Sequence, residues 1–380
     1  MKNTLNKELA SALLFLLAIF LPVSGMWLKL DRFKQLHENR QLAKPPPLGF
    51  ATEFRSAYTR YFNDHFGFRS SLVRANFIFR HYFLGVSPSN RVVFGKNGWL
   101  FYTGDGEIED FRGITKYDAK TLEKWAKTLE MKRIWLEKRG IRYLFIVPPN
   151  KSSIYGEFLP DSYNRVREST ALDDLFEYLK KHTRVKVVDF RQALLAAKSK
   201  ERVYHRTNTH WNEYGAFIAY RQIMKPVVQW FPSLRIQTVD DYLIEKKIGG
   251  GGDLADMMGG TEYIKEEYIN LKPLDNHLFK IEDIDDIAKS PITFEQNDSS
   301  FPRVLIFRDS FFSSVAPFLA GHFQHSKYYW QNWNTSTPIE EIVRSQKPDI
   351  VIEEIVERLV KTQMADFVGN PPKFIANNLR

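Results

Sequence analysis

The sequence predicts an α/β fold with a mostly parallel central sheet and helices on both faces, and three observations point to it. Short apolar runs recur at Arg142 to Val147, Val185 to Val188, Val304 to Phe307, Tyr328 to Trp330 and Ile350 to Glu353. Segments whose apolar residues fall three and four apart separate these runs, which is the alternation expected of a parallel sheet. With 380 residues, 43% of them hydrophobic, the chain is long enough to bury a large core.

Taken in order, the chain opens with a segment of membrane-spanning length rather than a fold element. After Lys2 and Lys7, residues Ala10 to Leu28 are apolar and uncharged, and Lys29 follows. Such a run matches the ~30 Å hydrocarbon core of a bilayer. Residues 1–28 are therefore expected to be an N-terminal transmembrane anchor or an uncleaved signal, since Pro22 to Gly25 make a weak cleavage site. Residues 29–50 read as a stalk stiffened by Pro45, Pro46 and Pro47.

Residues 51–115 read as an N-terminal segment packed on the body. Its aromatic-rich stretch from Phe54 to Phe83 suggests short helices, and an Asn97-Gly98 turn suggests a hairpin over Val92 to Tyr102. The body is expected at 116–380. There Asp118 caps a helix carrying Leu122, Trp125 and Leu129, with Gly140 as its stop, and a second helix runs around Leu172 to Leu179. From about 249 to 300 the pattern breaks after four glycines, which reads as an insertion or a long functional loop. A helix is expected from about Ser310, and another near Ile339.

Charge and composition exclude several functions. The net charge of +9 is spread along the chain with no basic block, so no nucleic-acid arm is expected. With no cysteine, disulfides, thiolate metal sites and cysteine nucleophiles are excluded. Serine, histidine and carboxylate chemistry remains.

Two segments carry such chemistry. Arg303 to Phe312 reads RVLIFRDSFF, an apolar strand ending at Ser310. In an open parallel sheet, ligands bind at the carboxyl ends of strands, and a helix N-terminus there offers N–H groups to an oxyanion. Ser310 is thus a candidate nucleophile or, equally on these grounds, a helix cap. Arg206 to Tyr214 reads RTNTHWNEY, with Asn208 and His210 two apart. An imidazole can take the serine proton while an amide oxygen on its second nitrogen fixes its tautomer. A packed structural histidine is the plain alternative. Lys151, Tyr155 and Arg308 are candidates to hold substrate, Gly251 and Asp253 to shape a loop, and Trp330 and Trp333 to stack on a ligand or to fill core.

Several ordered motifs give these segments a context. They are ENR at Glu38 to Arg40, DHFGFR at Asp64 to Arg69, GKNGWLFY at Gly95 to Tyr102 and VPPNKSSIY at Val147 to Tyr155. They continue with THWNEYGA at Thr209 to Ala216, GGDLADMMG at Gly251 to Gly259, RDSF at Arg308 to Phe311 and KPDIVIEEIVER at Lys347 to Arg358. In this series the chain resembles the alginate O-acetyltransferase AlgJ and AlgX family over about Glu38 to Arg358, in its shorter, AlgJ-like layout.

The resemblance implies an SGNH-hydrolase-like three-layer sandwich, with Ser310 as nucleophile, His210 as base and Asn208 at the position of the family aspartate. It implies an extracytoplasmic polysaccharide O-acetyltransferase, anchored in the inner membrane with its body in the periplasm. It implies a polysaccharide acceptor, an acetyl donor supplied by a membrane-bound O-acyltransferase, and no cofactor or metal. Asn208 departs from the pattern, because an amide orients imidazole without a charge to stabilise imidazolium. Three readings stay open: Asn208 serves as the partner, Asp309 or Asp189 substitutes, or the chain is a weakened relative. A carbohydrate acetyl esterase and a non-catalytic glycan-binding scaffold are the rival functions.

Overall fold

The computed structural model describes residues 2–28, 42–47, 52–275, 292–296, 298–334 and 337–369. The motif at Glu38 to Arg40, most of the expected stalk and residues 276–291 of the expected insertion lie outside the described residues. The chain divides into two compact units, a smaller one of Met1–Val93 with Gly250–Lys265 and a larger one of Phe94–Gly249 with Glu266–Arg380.

The larger unit is built on a six-stranded sheet. Its strands are β1 (Arg142–Val147), β2 (Lys186–Asp189), β3 (Ile292–Glu295), β4 (Arg303–Phe307), β5 (His325–Tyr329) and β6 (Ile350–Glu354). Their order across the sheet is β2-β1-β6-β4-β5-β3, and every pairing is parallel except that of β3 with β5. The central strands are apolar along their length because both faces are covered. Tyr143, Phe145, Val147, Leu305, Phe307 and Val351 enter one core with Trp125, Leu129, Leu172, Leu175, Ile339 and Ile342 from the helices on that side. The alternate residues Leu144, Ile146, Val304, Ile306 and Ile352 are equally buried and face the opposite way.

Local signals in the sequence set the helices around this sheet. The Asp118 carboxylate accepts the Thr121 N–H at 2.7 Å and starts the helix Ala119–Glu137, while Gly140, at φ 74°, turns the chain into β1. Thr170 and Asp173 form a reciprocal capping box at the head of Ala171–His182. Asn212 caps Glu213–Trp230 by accepting the Gly215 N–H at 2.9 Å. The turn at Asn97 and Gly98 has positive φ at both residues, as an Asn-Gly hairpin tip requires.

Two expectations change. The chain after Ser310 forms a 3₁₀ helix, Ser310–Ser314, before a short α-helix at Ala316–Ala320, so no α-helix begins at the serine. Between 249 and 300 the described residues include regular structure: strands Tyr242–Gly250 and Lys265–Pro273 form a two-stranded sheet, and β3 follows. Most of Tyr242–Gly250 is solvent-exposed, so burial imposes no apolar alternation there for a reader to see.

The smaller unit contains the helix Lys2–Leu28, whose stretch Lys7–Met26 is long and apolar enough to cross a membrane. It also contains helices Thr52–His65 and Arg69–Ile78, continued by one π-helical turn at Phe79–Phe83. Gly67 donates its N–H to the Pro22 carbonyl at 2.9 Å, and a Cβ on Gly67 would lie 2.2 Å from that oxygen. Only glycine permits this approach.

Candidate active site

Three strand ends meet at one edge of the sheet. Ser310 follows β4, Asn150 and Lys151 follow β1, and Glu357 follows β6. The loop that precedes the helix Glu213–Trp230 brings His210 to this edge. His210 Nε2 lies 2.7 Å from Ser310 Oγ, and its Nδ1 lies 2.8 Å from Asn208 Oδ1. The three residues expected from the sequence therefore form one hydrogen-bonded line across 100 residues of chain. All three are partly exposed, so solvent and small molecules reach the line.

Asn208 holds the imidazole in two ways. Its Oδ1 also accepts the His210 backbone N–H at 3.0 Å, which fixes the amide oxygen toward the ring. With Nδ1–H donating to that oxygen, Nε2 is left as an acceptor for the serine hydroxyl, the tautomer a general base needs. Thr209 Oγ1 adds a contact to Nδ1 at 3.1 Å. The two carboxylates that sequence offered as substitutes are engaged elsewhere. Asp309 accepts the N–H groups of Phe311 at 2.9 Å and Val356 at 2.8 Å, and Asp189 pairs with Arg191. Because Asp309 occupies the Phe311 N–H, that amide is not an open donor for an oxyanion, contrary to the helix-terminus expectation.

The loop is braced from behind by residues that the sequence did not single out for that task. Lys151 was a candidate to hold substrate, yet its buried ammonium donates to the backbone carbonyls of Asn208 at 2.8 Å, Arg206 at 3.1 Å and His205 at 3.4 Å. Glu266 accepts both the N–H and the hydroxyl of Thr207, at 2.8 and 2.6 Å, and pairs with Arg202. Trp211 donates its indole N–H to the Phe311 carbonyl at 3.0 Å, linking the histidine loop directly to the serine segment. The only sequence signal for that link is the tryptophan's place beside His210.

Other candidates take structural places. Tyr155 is buried, accepts the Val203 N–H and stacks on Trp99 at 4.2 Å. Arg308 is buried, donates to Ser313 Oγ at 2.9 Å and lies over the Trp330 ring at 4.1 Å. Trp333 is core, and Gly251 and Asp253 belong to the smaller unit.

The larger unit also buries several ionisable groups. Glu354 accepts the Asp309 N–H at 2.7 Å, and burial, reinforced by the Asp309 carboxylate, pushes its own carboxyl well above the usual range. Burial raises the Glu107 carboxyl to about 7, and likewise that of Asp110. His205 is driven down to about 4, chiefly by loss of solvent.

The chain is similar to known proteins over part of its length. Residues 92–266 match the model of the SGNH hydrolase-like domain of acetyltransferase AlgX. That stretch includes Asn208 and His210, and Ser310 lies beyond it. The chain is 29% identical over 146 residues to a protein named probable alginate O-acetylase AlgJ from Pseudomonas syringae pv. tomato, covering 37% of this chain and 34% of the relative. It is 29% identical over 128 residues to the protein of that name from Pseudomonas aeruginosa, covering 33% of this chain and 30% of the relative. The chain thus spans about a third of the length of these relatives. Among solved structures, Bacillus cereus PatB1 superposes with a TM-score of 0.53 at 16% identity, over 70% of this chain and 95% of that one, which shows a shared fold. Over residues 92–266 the chain is thus similar to the SGNH hydrolase-like domain of AlgX, and over about a third of their length to the AlgJ relatives.

Proposed function

We propose that this chain is a polysaccharide O-acetyltransferase that works through an acetyl-enzyme on Ser310. The observation that carries the reading is the hydrogen-bonded line from Ser310 Oγ through His210 to Asn208 Oδ1, at 2.7 and 2.8 Å. In the first half-reaction Ser310 Oγ attacks the acetyl carbonyl while His210 Nε2 takes the hydroxyl proton. The donor's alkoxide then leaves with that proton, and the acetyl group stays on the serine. In the second, a sugar hydroxyl gives its proton to Nε2 and attacks the acyl carbon, and Ser310 leaves as the hydroxyl. Asn208 orients the ring through both steps without adding charge.

The reading extends to setting. The span Lys7–Met26 supports a membrane anchor, and the resemblance to AlgJ and AlgX supports a larger unit outside the cytoplasm. The family supports a membrane-bound O-acyltransferase as acetyl source and a polysaccharide as acceptor. Asn208 favours one further reading, a non-catalytic glycan-binding scaffold, because an amide cannot stabilise imidazolium by charge.

Full-length protein incubated with 4-nitrophenyl acetate and a panel of polysaccharides tests these readings. Acetylated glycan, and an acetyl group trapped on the Ser310 peptide by mass spectrometry, are expected, with both lost in Ser310→Ala. Free acetate with no acetylated glycan identifies an esterase. Wild-type rates equal to those of Ser310→Ala, with glycan binding retained, identify a scaffold, and Asn208→Asp would then restore turnover if the amide is the cause.

A further inference from the structure

The helical segment that follows the Gly67 contact is apolar on the side that faces outward. Its inner side is accounted for within the smaller unit. Phe77 is fully buried and stacks against Tyr263, Arg74 pairs with Glu262, and Val73 lies against Gly259. An ordinary surface helix would turn charged residues outward. Here the outward residues are Leu72, Phe79, Tyr82, Phe83, Leu84 and Val86, exposed by 50, 56, 60, 75, 55 and 42%. Leu72 lies on the helix, Phe79, Tyr82 and Phe83 on its π-helical last turn, and Leu84 and Val86 just beyond it, so most of the exposed apolar residues cluster at the segment's C-terminal end. Contiguous exposed apolar surface of this kind marks a contact site.

Two features of the same unit identify the occupant. The segment starts where the apolar span ends: Gly67 N–H bonds to Pro22 O, Gly25 sits against the Phe68 ring, and both Pro22 and Gly25 belong to the last turns of Lys7–Met26. Its charges are also of one sign. From residue 69 to 86 the sequence holds Arg69, Arg74 and Arg80 and no aspartate or glutamate. An aromatic and aliphatic face on a helix with basic but no acidic residues suits the boundary between acyl chains and anionic head groups. Aromatic residues such as Phe79, Tyr82 and Phe83 gain most at that boundary when one side is apolar and the other wet.

We propose that the face formed by Leu72, Phe79, Tyr82, Phe83, Leu84 and Val86 lies in the membrane interface, so that the smaller unit binds the bilayer through a second element besides its span. This rests on the proposal that Lys7–Met26 crosses the bilayer. The interface helix fixes the tilt and height of the anchor, which a single span with a polar tether leaves undetermined.

The absence of cysteine makes a direct test clean. Phe83→Cys, Leu14→Cys and Lys181→Cys are each made in the full-length protein, labelled with a nitroxide and reconstituted into vesicles of phosphatidylcholine and phosphatidylglycerol. Accessibility to oxygen and to a water-soluble nickel complex is then read by power saturation. Leu14→Cys reports on the span and Lys181→Cys on an exposed helix of the larger unit. The expected result is a Phe83→Cys label shifted from the Lys181→Cys value toward oxygen and protected from nickel, at a depth shallower than Leu14→Cys. A Phe83→Cys label as open to nickel as Lys181→Cys, with Leu14→Cys buried in lipid, overturns the interface while leaving the anchor standing. A Leu14→Cys label in water removes the anchor and the interface together. Dipolar broadening of the Phe83→Cys signal that disappears on dilution with unlabelled protein assigns the face to a second copy and overturns a lipid partner.

Discussion

Glu353 and Glu354 are neighbours on β6, and they face opposite sides of the sheet with opposite consequences. Glu353 meets Lys132 Nζ at 2.7 and 2.9 Å and the Tyr143 hydroxyl at 2.5 Å, and Lys132 also donates to the Trp333 carbonyl at 2.9 Å. Both members of that pair are fully buried, so each depends on the other for its solvation. Glu354, on the other face, has no cation of its own at bonding distance among the described residues. It accepts the Asp309 N–H, its second oxygen is buried without a partner, and burial pushes its carboxyl well above the usual range. One strand thus carries a salt bridge that closes a core and a buried carboxyl without a counter-ion that supports the serine turn. Identical side chains acquire different chemistry from which face the pleat gives them.

The comparison breaks first at Lys132. Lys132→Met leaves the Glu353 carboxylate buried without a counter-charge, and a loss of roughly 3–5 kcal/mol is expected in denaturant unfolding of the detergent-solubilised protein. A Lys132→Met, Glu353→Leu double variant should recover much of that loss, since the cost lies in the orphaned charge. On the site side, Lys151→Met removes the ammonium that ties the carbonyls of residues 205, 206 and 208. Acetyl transfer should fall by roughly 10²-fold from misplacement of His210, with a smaller change in acceptor KM.

The third test uses pH. Glu107 ordinarily titrates near 4.5 and is raised to about 7 by burial. A raised acid contributes its full stability below the unfolded value and loses it as pH climbs through the folded value. Wild type should therefore lose stability relative to Glu107→Gln between about pH 4.5 and 7. The differential readout matters because His205 and His322, both lowered to about 4 by burial, destabilise the fold on acidification over part of the same range. The smallest effect is expected at Glu354. Glu354→Gln keeps an acceptor for the Asp309 N–H, so stability should change by under about 1 kcal/mol, whereas Glu354→Leu should cost ~1–3 kcal/mol. Equal losses for the two would show that the acceptor for the Asp309 N–H is not what matters there.

The sequence exposed the elements whose burial is complete. Strands β1, β4 and β6 are legible because parallel strands covered on both faces must be apolar throughout, and the helix at Ala119–Glu137 because Asp118 and Gly140 bracket it. His210 and Ser310 were legible by residue type and by motif. The choice between Asn208 and Asp309 as the imidazole partner was not, because it depends on where Asp309 sends its oxygens, and those go to backbone amides on either side of a turn. The role of Lys151 was hidden for a similar reason: its partners are carbonyls, which leave no mark on sequence. Strand Tyr242–Gly250 was missed because its exposed side chains obey no burial period.

The indole of Trp211, holding the carbonyl of Phe311, has a consequence for how such a protein diversifies. A rigid aromatic strut joins the His210 loop to the Ser310 segment, so the spacing of the imidazole and the hydroxyl is independent of the loops above them. Lineages are then free to remodel those loops without having to retune that distance each time.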